Sequence, residues 1–421
     1  MSGKEAKAVV PKLRFPEFRE AVAWEEKEVG EIFKVTRGEV LSMRLVSDMP
    51  SETTPYPVYS SQTKNNGLSG YYSDFLYENA ITWTTDGANA GDVNYRPGKF
   101  YCTNVCGVLI NNDGYANVFI AELLNTITRK HVSYIGNPKL MNGVMAKIKI
   151  ILPPLPEQQK IAHCLSSLDE VIGLQAKKVQ ALKQHKKSLM QQLFPAEGET
   201  TPRLRFPEFR EAGAWEVKRL GEIYRFKPTN SWSRDQLNYD SGTIKNIHYG
   251  DIHKELNRTF RIDDEVVPYV NDTLADSVKE DAFCEEGDIV LADASEDVDD
   301  IGKAIEIVDI GGQRLVSGLH TILASRIDHR IVVGFGAYLY ASSGVRKQIQ
   351  QRAQGAKVLG ISKTQLAEVE LAYPTEAREQ QKIAHCLSSL DEVIGLESHK
   401  LDALKNLKKG LMQQLFPQEV A

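Results

Sequence analysis

Two loops in the first half of the chain combine polar side chains with flanking aromatic residues. They run over residues 59–66 (YSSQTKNN) and 82–89 (TWTTDGAN). Their Gln, Asn, Lys, Ser and Thr side chains carry donors and acceptors that fit base edges in the major groove of DNA. Polar loops are also commonly ordinary turns, so both interpretations stay open at this point. The candidates for DNA contact are Tyr59, Ser61, Gln62, Lys64, Asn65, Asn66, Thr84, Thr85 and Asn89.

The second half offers three comparable stretches. They are residues 245–249, the histidine at 320, and the segment 354–363. For His320 a hydrogen-bonded histidine inside a sheet is an equally good interpretation. The candidates for DNA contact here are Lys245, Asn246, His248, Tyr249, His320, Lys357, Ser362 and Lys363.

Motifs for catalysis are missing from the sequence. Gly98-Lys99 lacks the spacing of a phosphate loop, and Gly334-Phe335-Gly336 lacks the third glycine of a dinucleotide fingerprint. Methyltransferase, helicase and nuclease signatures are absent as well. Cys102 and Cys106 have no second pair beside them, so we expect no metal site and five reduced cysteines. Any chemistry is therefore expected to belong to partners.

Composition indicates an ordinary globular protein. The 421 residues are 42% hydrophobic and 25% charged, which allows two or three domains. No apolar run is long enough to span a membrane and no signal segment begins the sequence, so we expect a cytoplasmic protein. The net charge of −5 argues weakly against nucleic-acid binding, although the segments 177–187 and 400–409 are rich in lysine.

The elements that must position these loops come from a tandem repeat. The string EQQKIAHCLSSLDEVIGL occupies residues 157–174 and again 379–396, and LRFPEFREAVAWE at 13–25 returns with one change at 204–216. Each half therefore holds an entry segment, a body and a repeated segment. The bodies differ in sequence, and the second is 31 residues longer. Matching frames around dissimilar bodies suggest two modules that do the same task on different targets.

The repeated segments have the spacing of a heptad seam. Apolar residues recur in alternating steps of four and three, which predicts two helices of about 37 residues, roughly 55 Å long. A narrow apolar stripe needs a partner, so we expect the helices to pair antiparallel, with Lys186 opposite Glu397 and Gln175 opposite Lys408. The residues predicted to pair are Leu165, Leu168, Ile172, Val179, Leu182, Lys186, Leu387, Leu390, Ile394, Glu397, Leu401 and Leu404.

The fold class predicted from these patterns is α+β. Turn signals such as 65–67 and 112–114 separate short alternating segments, so both bodies are expected to be rich in β-strands, the second with strands at 287–291 and 318–323. A pseudo-two-fold axis would relate the halves. The predicted division is a first domain at 1–155, a helix at 156–195, a second domain at 196–377 and a helix at 378–421.

The whole chain resembles the specificity (S) subunits of type I restriction-modification systems. The residues that carry the resemblance are PKLRFPEF at 11–18, Trp24, GEI at 30–32 and LPPLPEQQKIA at 152–162, together with their tandem duplication. The second copy departs from the pattern, because AYPTEAR at 372–378 replaces the proline-rich exit. That change leaves the end of the second body undefined.

The resemblance implies a function. In that family the bodies are target recognition domains and the paired helices are a spacer. The chain would read a split sequence in double-stranded DNA, one half per body, and position two methyltransferase (M) subunits for adenine methylation, with restriction and translocase (R) subunits joining for cleavage. S-adenosylmethionine would belong to the M subunits, and ATP and Mg²⁺ to the R subunits. The alternatives are a coiled-coil scaffold or dimerisation stalk without DNA binding, which the acidic charge favours, and an enzyme in its own right, which no motif favours.

Overall fold

The computed structural model of the chain describes residues 11–61, 64–254 and 256–416. Gln62, one of the predicted contact residues, lies outside this part, as does the side chain of Lys64. The chain forms two compact units, residues 1–177 with 399–421 and residues 178–398. Each unit contains one β-rich body and a portion of both long helices, so the helices do not form units of their own.

The first unit is built on a six-stranded sheet with the strand order β2-β7-β5-β6-β3-β4, and β1 pairs separately with β8. Its strands are Glu25–Glu28 (β1), Lys34–Arg37 (β2), Tyr56–Tyr59 (β3), Leu68–Tyr72 (β4), Tyr77–Thr84 (β5), Val93–Cys102 (β6), Cys106–Ile110 (β7) and Lys149–Leu152 (β8). Its helices are Val29–Ile32 (α1), Val118–Ile127 (α2), Asn142–Ala146 (α3) and the beginning of Leu155–Leu193 (α4).

The central strand β5 is covered on both faces. Ile81 and Trp83 pack into the core that contains α2, whereas Ala80 packs into a smaller core on the other face with Phe100. This alternation follows from the two-residue period of a strand. Asn117 precedes helix α2, and its Oδ1 accepts from the Ile120 amide at 3.1 Å and so caps the helix. The sheet thus forms a rigid platform beneath the loops.

The second unit contains a five-stranded sheet, β10-β19-β15-β17-β13, and a four-stranded sheet, β11-β14-β12-β18. Its strands are Glu216–Arg219 (β9), Tyr224–Lys227 (β10), Leu237–Asn238 (β11), Ile244–Ile247 (β12), Thr259–Arg261 (β13), Tyr269–Val270 (β14), Ile289–Ala292 (β15), Ala294–Ser295 (β16), Ala304–Asp309 (β17), Arg314–Ser317 (β18), Thr321–Arg326 (β19), Leu359–Gly360 (β20) and Glu370–Tyr373 (β21). Its helices are Leu220–Ile223 (α5), Tyr249–Lys254 (α6), Asp272–Ala275 (α7), Gly336–Ala341 (α8), Ser343–Arg352 (α9), Lys363–Ala367 (α10) and the first part of Ala377–Leu415 (α11), together with the second part of α4.

Two strands of this unit had been predicted. Strand β15 lies close to the predicted 287–291, and β19 begins three residues after the start of the predicted 318–323. The segment at 318–320 is instead the turn between β18 and β19, and it places His320 at the surface.

The repeat in sequence is also a repeat in structure. In the first unit the Leu13 amide donates to the Gln414 carbonyl at 3.0 Å, and in the second unit the Leu204 amide donates to the Gln192 carbonyl at 2.9 Å. Strand β1 pairs with β8 as β9 pairs with β21, in both cases antiparallel. Each entry segment therefore docks on the carboxyl end of a long helix, and the strand that follows it pairs with the last strand of its own body.

Helices α4 and α11 each contain 39 residues, slightly more than predicted. In the second unit Lys178 Nζ contacts Glu397 Oε1 at 2.6 Å, and Lys186 Nζ contacts Asp391. Moving forward along α4 thus means moving backward along α11, which confirms the antiparallel pairing within this unit. The predicted seam residues Leu165, Val179 and Leu387 are buried, and Leu168, Ile172, Leu182, Lys186, Leu390, Ile394, Glu397, Leu401 and Leu404 are half-buried.

The predicted register of the pair is wrong. Lys186 does not meet Glu397 but binds Asp391, six residues earlier on α11. In the first unit Lys408 binds Asp169 at 2.8 Å, six residues before the predicted partner Gln175. The observed register lies about one heptad from the predicted one. It leaves neither lysine uncompensated beside the apolar seam, because the ammonium groups of Lys186 and Lys408 reach the carboxylates of Asp391 and Asp169.

None of the helices in the described ranges is long and apolar enough to cross a membrane.

Candidate nucleic-acid interface

In the first unit the predicted loop at 59–66 leads into an exposed turn. Asn65 and Asn66 both lie in the left-handed region, with φ of 51° and 52°, and Gly67 follows with φ of 84°. Both asparagine side chains are exposed. The Ser60 amide donates to the Gly67 carbonyl at 2.8 Å, which ties the turn to the end of β3. Tyr59 and Ser61 beside it are half-buried.

Arg96 supports this turn from below, although it is not among the residues predicted to contact DNA. Its Nη2 donates to the Asn66 carbonyl at 2.6 Å, and its Nε donates to Thr82 Oγ1 at 3.0 Å. The guanidinium carbon lies 3.7 Å from the centre of the Tyr59 ring, a close cation–π contact. Only 7% of the residue is exposed. Arg96 lies on β6, which is placed between β5 and β3 in the sheet, and no local sequence pattern distinguishes it from other polar strand residues.

The second predicted loop, at 82–89, is largely internal. Thr85 is fully buried, and its hydroxyl lies 2.6 Å from Asp86 Oδ2 and 2.9 Å from the Val105 carbonyl. Thr84 is also buried, whereas Asn89 is half-buried. The burial of Thr85 contradicts the prediction of base contact, because a covered side chain cannot reach a base edge.

In the second unit the structure brings three of the predicted stretches together. The Tyr249 ring lies 4.6 Å from the His248 ring and 5.3 Å from the His320 ring. The Asp293 amide donates to the His320 carbonyl at 3.0 Å, and the Asp293 carbonyl accepts from the Ile361 amide at 2.9 Å. His320 and the segment that ends at Lys363 therefore meet around Asp293.

The side chains of this cluster differ in exposure. His320 is exposed in a left-handed conformation with φ of 53°, and its Nδ1 lies 3.3 Å from Asp293 Oδ1. It is therefore not a histidine inside a sheet. His248 is buried, and this burial, followed by the charge of Arg234, lowers its pKa. Tyr249 and Lys245 are half-buried.

The predicted DNA contact of Asn246 also needs correction. It is fully buried on β12, so it cannot read a base in this conformation. At the far end of the cluster Lys357, Ser362 and Lys363 are exposed. The hydroxyl of Ser362 accepts from the Gln365 amide at 3.2 Å and caps α10, while Lys363 Nζ donates to the Lys227 carbonyl at 3.2 Å.

In the described parts of the chain, no group of three or more His, Cys, Asp or Glu residues is arranged so that it could hold a metal ion. Cys102 and Cys106 are free and buried. Burial raises the pKa of Cys106 to about 11, and it raises that of Cys102 as well, so both thiols are protonated near neutral pH. The polar turns at the surface are left as the candidate interface.

Comparison with known proteins decides the family. The profile of the type I restriction modification DNA specificity domain matches residues 21–184 and again residues 213–406. The chain belongs to this family. DNA sequence specificity in a type I restriction-modification system is therefore its function. The two matches coincide with the two tandem halves, each covering one β-rich body and most of one long helix.

Several relatives have the same description. The N-terminal part of a type I specificity subunit from Mycoplasma pneumoniae is 42% identical over 143 residues, 33% of this chain and 75% of the relative. The MpnII specificity subunit of the same organism is 36% identical over 153 residues, 36% of this chain and 45% of its own length. The MjaVIII specificity subunit of Methanocaldococcus jannaschii is 23% identical over 96% of this chain and 93% of the relative.

Solved structures show the same fold. The type I S subunit from M. genitalium has a TM-score of 0.63 at 15% identity, covering 98% of this chain and 100% of that chain. A chain from a study of complex assembly and conformational transition of the type I system has a TM-score of 0.53 at 14% identity, covering 94% of this chain and 98% of that chain. The tandem α+β architecture of this chain is thus the architecture of the family.

Proposed function

We propose that this chain reads a DNA target in two parts, one with each β-rich body. The observation that carries the proposal is the double family match, in which two matching frames hold bodies of different sequence and length. Each body also exposes polar residues on a rigid scaffold, Asn65 and Asn66 in the first and His320 with Lys363 in the second. Base contact by particular side chains needs this combination of exposure and hydrogen-bonding groups.

In the same proposal the chain carries no catalysis and serves as a scaffold for catalytic partners. Two methyltransferase subunits would dock on it with S-adenosylmethionine, and restriction subunits would bring ATP and Mg²⁺. The helices offer apolar surface for docking, because Val171 and Leu174 on α4 are exposed, and so are their repeat equivalents Val393 and Leu396 on α11. Sharing of phosphate contacts with partners also agrees with the net charge of −5.

The proposal is tested by exchanging one body. The second body is replaced by that of a relative with a different target, and methylated adenines are mapped in cells that contain the methyltransferase partner. We expect one half of the methylated motif to change and the other to stay. A change in both halves would contradict the assignment of one half per body.

The alternative function, a scaffold without DNA binding, is tested by a gel-shift assay. The assay uses the purified chain alone and with its methyltransferase partner. Binding to duplexes that carry the mapped motif is expected in the presence of the partner. If neither sample shifts any duplex, the chain is a scaffold without DNA binding. Incubation of the chain alone with S-adenosylmethionine and DNA, followed by mass spectrometry, tests for activity of its own.

A further inference from the structure

Arg96 is a buried cation without a counter-ion. Over the described ranges no carboxylate lies within ion-pair distance of its guanidinium, which contacts a hydroxyl, a carbonyl and an aromatic ring instead. Burial lowers the pKa of the side chain, as expected for a charge that has lost water without gaining a carboxylate. Such an arrangement is costly for the domain, and an apolar residue on β6 would avoid that cost.

The contacts of Arg96 converge on one backbone position. Its shortest hydrogen bond, at 2.6 Å, goes to the carbonyl of Asn66 at the tip of the exposed turn. Three successive residues of that turn are in the left-handed region, which costs free energy unless the surroundings hold them there. A charge-assisted hydrogen bond from a rigid, stacked guanidinium is suited to this task.

A third left-handed asparagine in the same unit, Asn79, provides a comparison for this turn. Asn79 has φ of 48°, and its Oδ1 accepts from the Gly98 amide at 2.8 Å, so its side-chain oxygen is bonded within its own hairpin. In contrast, no described residue makes a hydrogen bond with the side-chain amide of Asn65 or Asn66, and both are exposed. Their amides are free for an external ligand.

We propose that Asn65 and Asn66 form a reading turn for an A·T base pair and that Arg96 is the residue that positions it. This inference rests on the proposed function, because it assumes that the first body contacts DNA. The side-chain amide of asparagine has an NH2 group that can donate to N7 of adenine and a carbonyl oxygen that can accept from the N6 amino group in the major groove. Arg96 acts through the backbone of Asn66 and is not itself a base contact.

The test uses the full-length chain with its methyltransferase partner in cells and maps methylated adenines. Asn66→Gly keeps the left-handed backbone and removes the amide, Arg96→Lys keeps the charge and removes the stacked fork, and Asn79→Gly is the matched control. We expect the first two variants to lose roughly ten-fold preference for an A·T pair at the same position in one half of the motif. The other half and the control should be unchanged.

The double variant Asn66→Gly, Arg96→Lys separates positioning from general stability. If Arg96 acts through Asn66, its loss should reduce the preference no further than Asn66→Gly alone. Should Arg96→Lys fail to fold, Thr82→Val replaces it, since it removes only the hydroxyl that accepts from Arg96 Nε, and a smaller loss with the same pattern is expected.

The outcomes distinguish the inference about the turn from the proposed function. Unchanged preference in Asn66→Gly and Arg96→Lys, or equal loss over both halves of the motif, overturns the inference about the turn. Failure of the parent chain to direct methylation to any motif overturns the proposed function instead.

Discussion

Arg14 and Glu157 form a buried, bidentate ion pair between the entry segment and the first turn of α4. The Nε to Oε1 and Nη2 to Oε2 distances are 2.7 and 2.6 Å, and the side chains are 6% and 1% exposed. Arg205 and Glu379 repeat the pair in the second unit, with two contacts of 2.7 Å. The identical geometry explains why the entry sequence and the start of the repeated helix occur together in both halves.

Arg14→Ala should destabilise the first unit by about 3–5 kcal/mol, because it leaves the Glu157 carboxylate buried without its partner. Urea unfolding followed by hydrogen exchange and mass spectrometry can assign the loss to that unit. Lys160→Ala is the control, since Lys160 and Glu17 form an exposed pair at 3.0 Å that should contribute less than about 1 kcal/mol. Equal losses of unfolding free energy in the two variants would show that burial does not determine how much the Arg14–Glu157 ion pair contributes to stability.

Charge reversal can test the register of the helix pair. Lys186→Glu should place a second carboxylate beside that of Asp391 and lower the free energy of unfolding, measured in urea, by on the order of 2 kcal/mol for this partly buried site. Addition of Asp391→Lys should restore most of the loss. Addition of Glu397→Lys should not, because Glu397 pairs with Lys178. Rescue by the change at 397 would instead support the register expected from the heptad pattern.

Glu306 should make stability depend on pH. It is fully buried and accepts hydrogen bonds from the amides of Ala337 at 2.7 Å and Gly334 at 2.9 Å. Burial raises its pKa from 4.5 to about 7, against the opposing effect of those amides. Between these two pH values the folded state holds a proton that the unfolded state releases. Stability should therefore fall as pH rises through this window, by on the order of 3 kcal/mol.

Urea unfolding of the second unit at pH 4.5, 6 and 8 measures this dependence. Glu306→Gln should flatten the dependence of stability on pH. Compared with the parent protein, this variant should be relatively more stable at pH 8 than at pH 4.5. Glu296→Gln, at an exposed position, serves as the control and should preserve the parent profile. A parent protein whose stability rises between pH 5 and 7 with the same slope as Glu306→Gln would refute the assignment.

The helices should set the gap in the DNA target. Insertion of one heptad into both helices, after Val179 and after Leu396, keeps the seam intact and lengthens it by roughly 10 Å. That corresponds to about three base pairs, so the same two half-sites should be methylated with a longer gap. Methylation should also be weaker, because three base pairs rotate one half-site by on the order of 100°, which the DNA must untwist to correct.

Mapping of methylated adenines in cells with this variant provides the measurement. Insertion into α4 alone is the control, and it should abolish activity, since the seam then loses its register over half its length. An unchanged gap with full activity in the double insertion would mean that the helices do not fix the spacing.

The sequence by itself determined the tandem plan, the two long helices and the β-rich character of the bodies. These features are encoded locally, in the heptad spacing from Ile161 to Leu193, in turn residues such as Asn65 to Gly67, and in the duplicated entry segment. Each of them can be recognised within a short window without knowledge of what packs against it.

Only the tertiary structure decided the helix register and the surface of the bodies. A heptad seam matches itself again after seven residues, so the choice depends on the reach of single side chains such as Lys186 toward Asp391. Thr85 and Asn246 carry the same groups as exposed loop residues, and their burial comes from strands distant in sequence. The contact between Arg96 and Asn66 joins residues 30 positions apart, a pairing that sheet geometry creates and local pattern does not show.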